Sequence, residues 1–355
     1  MLQEVRKEIA KELKDLGDAS FDDDLRLWRF IRGFKYDKKK SVEVIRNSIA
    51  WRKKEDVSTI AASTMKLKES SYPFASQARS LYPMVELPPS AVDRKGALLW
   101  WVRYGQIDPE PLGTLKITLD ELEEYLIYRY EAQTERLQRR SKTTNMLERY
   151  YIVIDLEGLS MKHTGSWCRQ TFKKVSSVLS SNYCESTYKI TIINAPLIFR
   201  TVWSVIKPWL PERTVKKISI VGADYLKRLH EDIDPMYIPE LYGGTCKVNV
   251  TPALPRPDVS KYTNKINILA GKTDKDSCVF KMKKGESMRW RILVENGKDI
   301  DFKICFEKVL VEKRSSAVAA SGRFKAPSDG ALRISLDNSR AWMVARDVNV
   351  TMCPN

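Results

Sequence analysis

Histidine is almost missing from this chain: His163 and His230 are the only two among 355 residues. A Ser–His–acid or Cys–His arrangement therefore has few ways to form. His163 stands in LSMKHTGSW, a setting that suits a loop histidine better than a general base. GxSxG, HExxH, a P-loop and a GxGxxG after a strand are also absent, and no two carboxylates share a spacing suited to acid–base work. An enzyme is not expected. The six cysteines (Cys168, Cys184, Cys246, Cys278, Cys305, Cys353) are scattered and none forms CxxC. With so few histidines beside them, neither a metal site nor a cofactor is expected. Reduced thiols in a cytoplasmic protein are the expectation. No apolar run reaches the roughly 18 residues of a membrane-spanning helix. The opening MLQEVRKEIAKELKDL lacks the apolar centre of a signal peptide and reads as an amphipathic helix.

Positive charge, by contrast, is abundant. The formal net charge is +16, and from Arg256 onward 20 Lys/Arg stand against 12 Asp/Glu. Such a surplus suits a phosphate-rich partner. The charge is spread along the chain and forms neither a basic tail nor an aromatic–basic RNA-reading motif. Transient, peripheral contact with anionic membranes, at Golgi, endosomal or other surfaces, is expected in preference to nucleic acid. Hydrophobic residues at 43% and charged residues at 30% fit a folded chain, and 355 residues fit two or three domains.

Periodicity divides the chain. Residues 1–74 read as helices, with Asp22–Asp24 as N-terminal acids, an apolar face of Leu25, Trp28, Phe30 and Ile31, and a second helix carrying Val42, Ile45, Ile49 and Trp51. Residues 75–246 alternate strands and helices: Ala97–Tyr104, then a long helix Leu119–Arg139, then Tyr151–Leu156. Pro252, Pro255 and Pro257 mark a linker over 247–264. Residues 265–355 switch to period two, with strands at Cys278–Met282, Met288–Val294, Phe302–Phe306, Gly330–Leu336 and Met343–Met352. That series predicts an antiparallel β-sandwich.

The densest stretch is Asn182 to Thr245. Tyr188–Ile193 (YKITII) and Lys217–Val221 (KISIV) are β-branched runs of strand length. Between them Leu197–Leu210 places Phe199, Val202, Trp203 and Ile206 at helical spacing. A strand, a helix and a strand with short connections predict parallel pairing. The segment is apolar beyond one face and Pro208 interrupts it, so it reads as a mobile flap over an apolar cavity rather than as an ordinary core helix. As a gate, these four side chains would enter a bilayer interface when open.

The ordered blocks E…IINAP…IKPWL…TVKKI…VGA…IPELYGGT resemble the CRAL-TRIO lipid-binding family, and DDDLRLWRFIRGFKYDKKKSVEVIRNSIAWRK resembles the helical domain that precedes its cavity. DGALRISLDNSRAW resembles the GOLD (Golgi dynamics) domain, a pairing found in the supernatant protein factor and tocopherol-associated group. The resemblance implies a mixed α/β sheet flanked by helices, an N-terminal helical domain and a C-terminal sandwich. It also implies lipid binding and transfer, with phosphatidylinositol the favoured ligand. The family's inositol-phosphate positions fall on Lys35, Glu185, Thr214 and Lys217. Two departures stand out. Phe34 replaces an expected arginine, and Tyr150 and Ile152 occupy the Ser and Thr positions of phosphatidylcholine binders. An isoprenoid cargo such as tocopherol, squalene or a retinoid stays open, as does a lipid-sensing adaptor that binds a protein through its GOLD-like domain.

Overall fold

The structure, a computed structural model, describes residues 1–66, 78, 83–107, 117–222, 224–248, 262–295 and 298–354. The expected domain boundary at 74/75 and the three linker prolines lie outside the described residues. The chain forms two compact units, one of residues Met1–Glu110 and Glu123–Pro255, the other of Pro111–Leu122 and Arg256–Asn355.

In the first unit the helices are α1 (Leu2–Glu8), α2 (Ala10–Leu16), α3 (Asp24–Gly33), α4 (Lys38–Lys54) and α5 (Val57–Lys66). The single amphipathic helix expected at the start is two, because the backbone leaves helical geometry at Ile9. Asp23 caps α3, accepting from the amides of Leu25 and Arg26 at 2.9 and 3.2 Å. The face of α3 also differs from expectation. Leu27, Phe30 and Ile31 are buried with Val42, Ile45 and Ile49, whereas Leu25 and Trp28 are half-covered. Arg26 and Arg29 are buried too. Arg26 and Arg52 both donate to Glu131, Arg52 also holds Asp18 at 2.6 Å, and the Tyr183 hydroxyl donates to Glu131 at 2.9 Å. The two guanidinium groups pack over the Phe21 ring.

The sheet of this unit has the order β1 (Met84–Val85), β2 (Leu98–Val102), β3 (Tyr150–Asp155), β4 (Thr187–Ile193) and β5 (Ile218–Ile220). β1 is antiparallel to β2 and the rest run parallel, so the sheet is mixed. Its helices are α6 (Leu119–Thr144), α7 (Ser166–Asn182), α8 (Phe199–Ile206), α9 (Glu212–Val215) and α10 (Tyr225–Asp232). Leu99, Trp101, Tyr151, Val153 and Ile193 point to one face and are sealed by Leu229, Ile233, Ile238 and Tyr242. The double glycine of IPELYGGT has a steric cause: a Cβ on Gly244 would meet the Ile238 carbonyl oxygen at 2.0 Å.

Among the described residues the second unit is a β-sandwich of eight strands: β6 (Thr263–Ile268), β7 (Thr273–Met282), β8 (Ser287–Val294), β9 (Ile300–Phe306), β10 (Val309–Ala317), β11 (Ala319–Lys325), β12 (Gly330–Asp337) and β13 (Arg346–Pro354). Its sheets have the orders β10-β9-β12-β7 and β11-β8-β13-β6, antiparallel throughout. The last strand begins at Arg346, so Met343 lies in the preceding loop and not in the expected strand. The first turn of α6 belongs to this unit: Glu121 pairs with Arg291 at 2.8 Å, Asp120 with Arg314 at 2.8 Å, and Thr118 with Ser321 at 2.9 Å.

Candidate functional site

Two apolar rows cross the parallel part of the sheet. Register sets Trp100, Ile152, Ile190 and Ile218 side by side, and likewise Val102, Ile154, Ile192 and Ile220. Partners in a parallel ladder share a face, so these eight residues make one surface bearing no polar group except the Trp100 indole N–H. Trp100 Nε1 is satisfied by the Met84 sulfur at 3.1 Å. A parallel sheet is ordinarily sealed on both faces. Here the opposite face is sealed, but Trp100, Ile152, Ile154 and Ile218 are only half-covered and Ile220 is exposed.

The cover over these rows is partial. Leu137 of α6 packs at the β2–β3 end beside Leu98 and Tyr150. α8 packs at the β4–β5 end, where Phe199, Val202 and Trp203 meet Leu156, Ile190 and Ile192. The Phe199 and Trp203 rings lie 5.8 Å apart. Ile206 is half-covered, while Thr201, Ser204 and Val205 face outward with Arg200 and Lys207. Pro208 is the second residue of the 3-10 turn Lys207–Trp209 that follows α8, and Trp209 meets Phe172 of α7. On α7, Trp167 Nε1 and Thr171 Oγ1, one turn apart, are buried without a hydrogen-bond partner among the described residues.

Beside these rows lies a group of cations around one carboxylate. Lys217 Nζ donates to Glu185 Oε1 at 3.1 Å and to the Thr187 carbonyl at 2.7 Å. Arg149 and Arg32 reach the other Glu185 oxygen at 3.5 and 3.7 Å. Arg29 donates to the Glu185 carbonyl at 2.8 Å. Burial pushes the Arg29 guanidinium down to about 10, with Arg26 and Arg149 adding repulsion. Burial and Arg32 likewise lower Arg149. One carboxylate does not balance these cations, and the imbalance favours an anion.

Thr214 sits in α9, and its carbonyl accepts from the Lys217 amide at 3.0 Å. Its hydroxyl makes no hydrogen bond among the described residues. Lys35 is exposed in the α3–α4 turn, where Lys35 and Tyr36 both adopt left-handed backbone at φ 56 and 62. Its charge lowers the Glu212 carboxyl, after the larger effect of Lys216. The α3–α4 turn is drawn to this place by a close approach, since a Cβ on Gly33 would stand 3.2 Å from Cys184 Cβ. Arg213 binds the Gly33 carbonyl at 2.6 Å and lies 4.7 Å from the Phe34 ring centre. Phe34 therefore stacks on a cation in place of being one. Glu185 and Lys217 touch, Thr214 lies one turn before Lys217, and Lys35 follows Gly33 and Phe34, which Arg213 holds. Sequence reasoning missed Arg32, Arg149 and Arg213. Arg149 had a readable mark, a lone cation at the mouth of the apolar strand YYIVID.

Residues 88–244 match the sequence profile of the CRAL/TRIO domain. The middle of this chain is a CRAL/TRIO domain. Over 238 residues the chain is 28% identical to the phosphatidylinositol/phosphatidylcholine transfer protein SFH9 of Arabidopsis thaliana, an overlap of 66% of this chain and 39% of that protein. It is 27% identical over 253 residues to the CRAL-TRIO domain-containing protein T23G5.2 of Caenorhabditis elegans, covering 67% of this chain and 32% of that one. The chain thus spans less than half the length of these curated relatives. The crystal structure of Sfh5 shares the fold with a TM-score of 0.52 at 18% identity, across 72% of this chain and 92% of that one. Among the described residues no helix is long and apolar enough to cross a membrane.

Proposed function

We propose that this protein binds one lipid monomer and exchanges it at membranes, with phosphatidylinositol as the favoured ligand. The observation that carries this reading is the apolar double row of the CRAL/TRIO sheet, left half-covered and flanked by a cationic cluster. Acyl chains would lie along Trp100, Ile152, Ile190 and Ile218. The phosphate would meet Lys217, Arg149, Arg32 and Lys35, with the Thr214 hydroxyl donating and Glu185 accepting from inositol hydroxyls. Trp167 and Thr171 offer two unused donors to a lipid ester or hydroxyl. The α8 segment acts as the gate: Phe199, Val202, Trp203 and Ile206 leave the rows and enter the interface when it opens. No chemical step is assigned to these residues, and the sandwich is read as a GOLD-type domain.

Tyr150 and Ile152 favour a second cargo other than phosphatidylcholine. Ile152 lies in the hydrocarbon row, and the Tyr150 hydroxyl is taken up by the Gln133 carbonyl, at 3.4 Å, and by the Arg136 side chain. A neutral isoprenoid fits that end better.

The deciding experiment is native mass spectrometry with lipid extraction, followed by labelled-phosphatidylinositol transfer between vesicles. Bound phosphatidylinositol, with transfer lost in Lys217→Ala, supports the reading. A co-purifying neutral lipid with no phosphatidylinositol transfer overturns it in favour of an isoprenoid carrier. Lipid binding without any transfer leaves a lipid-sensing adaptor.

A further inference from the structure

Lys35, Glu185 and Thr214 come from three separate segments. Lys35 is in the α3–α4 turn, Glu185 follows α7, and Thr214 stands in α9. Lys35 and Glu185 both adopt left-handed backbone, at φ 56 and 51, although neither is glycine. Backbone of that kind persists only where the surroundings hold it. α9 is a single turn, Glu212–Val215, too short to be stable through its own hydrogen bonds.

One side chain reaches all three segments. Arg213 Nη1 donates to the Gly33 carbonyl at 2.6 Å, across 180 residues of sequence. Its Nη2 donates to the Ser180 carbonyl at 3.1 Å and lies 3.9 Å from Cys184 Sγ. The guanidinium carbon lies 4.7 Å from the Phe34 ring centre. Each arm stops one residue short of a headgroup position. Phe34 precedes Lys35, Cys184 precedes Glu185, and Arg213 itself precedes Thr214. The contacts also call for an arginine, because a flat cation can stack on the ring while its N–H groups fork to two carbonyls.

We propose that Arg213 is the positioning residue of the headgroup site. It acts through Lys35, Glu185 and Thr214 by fixing where they stand relative to one another. This rests on the reading of those residues as an inositol-phosphate site. Arg29 shares the task at one point, donating to the Glu185 carbonyl at 2.8 Å. None of the Arg213 contacts involves the apolar rows, so its influence falls on the headgroup and not on the acyl chains.

The test is a double-mutant cycle on the full chain. It is read as labelled-phosphatidylinositol transfer between phosphatidylcholine vesicles and as phosphatidylinositol retained in native mass spectra. Arg213→Ala and Lys35→Ala should each lower transfer about tenfold. The double variant should be no worse than Arg213→Ala alone, because Lys35 is already out of place in it. An Arg213 that only stabilises the fold would let the two losses multiply to about a hundredfold, and that result overturns the proposal. So does an Arg213→Ala protein that transfers at the parent's rate. Arg213→Lys keeps one donor but cannot fork and stack at once, so its transfer should lie between those of the parent and Arg213→Ala. It also carries the cycle should Arg213→Ala not fold. A parent chain that neither binds nor transfers phosphatidylinositol sinks the reading of the site, and the proposal with it. Losses that multiply in the variants of a transferring parent sink the proposal and leave that reading standing.

Discussion

Arg26 grips both carboxylate oxygens of Glu131, at 2.9 and 2.6 Å, where each side chain is only 3% exposed. Arg52 binds the same carboxylate and keeps Asp18 as a second partner, whereas Arg26 has Glu131 as its carboxylate. Removing that acid strands Arg26 and takes one of the two acids from Arg52. Glu131→Gln should destabilise the protein by about 3–5 kcal/mol, seen as a lower denaturant midpoint. A midpoint within error of the parent would mean that water or a rearranged Asp18 takes over.

The same network sets an acid limit. Burial alone would raise Glu131 and Asp18, but Arg26 and Arg52 hold Glu131, and Arg52 holds Asp18, well below the ordinary carboxylate range. Below about pH 4.5 the unfolded chain takes up protons that the folded chain refuses. Stability should therefore be full near neutrality and fall as pH drops from about 4.5 toward 2. Chemical melts at several pH values check this, and Glu131→Gln should flatten the slope.

In the cationic cluster, Arg149→Ala is the informative change, because only the structure places it beside Glu185. It should weaken phosphatidylinositol binding about tenfold or more while leaving the melting temperature close to the parent's. Lys217→Ala should act in the same direction, read as labelled-lipid transfer. An Arg149→Ala protein that transfers normally would confine the headgroup to Lys35, Thr214 and Lys217.

Trp203→Glu puts a charge where α8 meets both the apolar rows and, when open, the bilayer. Transfer should be abolished, since inserting a carboxylate removes roughly 1.5–3 kcal/mol of apolar burial and adds a desolvation penalty. Circular dichroism should remain that of the parent, because Trp203 is only half-covered.

Ile190→Trp tests the rows themselves. The larger ring would fill space that acyl chains are proposed to use, so native mass spectra should show less bound lipid. Full lipid occupancy in this variant would place the ligand elsewhere.

The strands of the CRAL/TRIO sheet were legible because YKITII and YIVID are β-branched runs that can be little else. Lys217 and Glu185 were legible as motif residues. The burial of Arg26 and Arg29 was not, since α3 reads as amphipathic around Leu25 and Trp28, and the partner that makes an arginine burial tolerable lies 105 residues away. Strands Val309–Ala317 and Ala319–Lys325 were missed because Lys, Arg and Ser mask their alternation. The last strand was started three residues early, at Met343, because an exposed Trp-Met-Val run looks like strand by composition. What keeps it out is the Asn338 amide and Arg346, which both donate to the Val344 carbonyl, and Arg340, which holds Asp301, none of which periodicity can weigh.

Asp120 meets Arg314 at a sequence distance of 194 residues, and Thr118 meets Ser321 at 203. Read in the direction of translation, the chain makes these acceptors long before it makes the strands that answer them. Glu121, 1% exposed in the finished protein, must wait as a hydrated charge while the intervening chain is synthesised. The start of α6 is consequently among the last parts of the molecule to settle. A ribosome-stalled chain ending before Arg256 should present it to proteases as an open end.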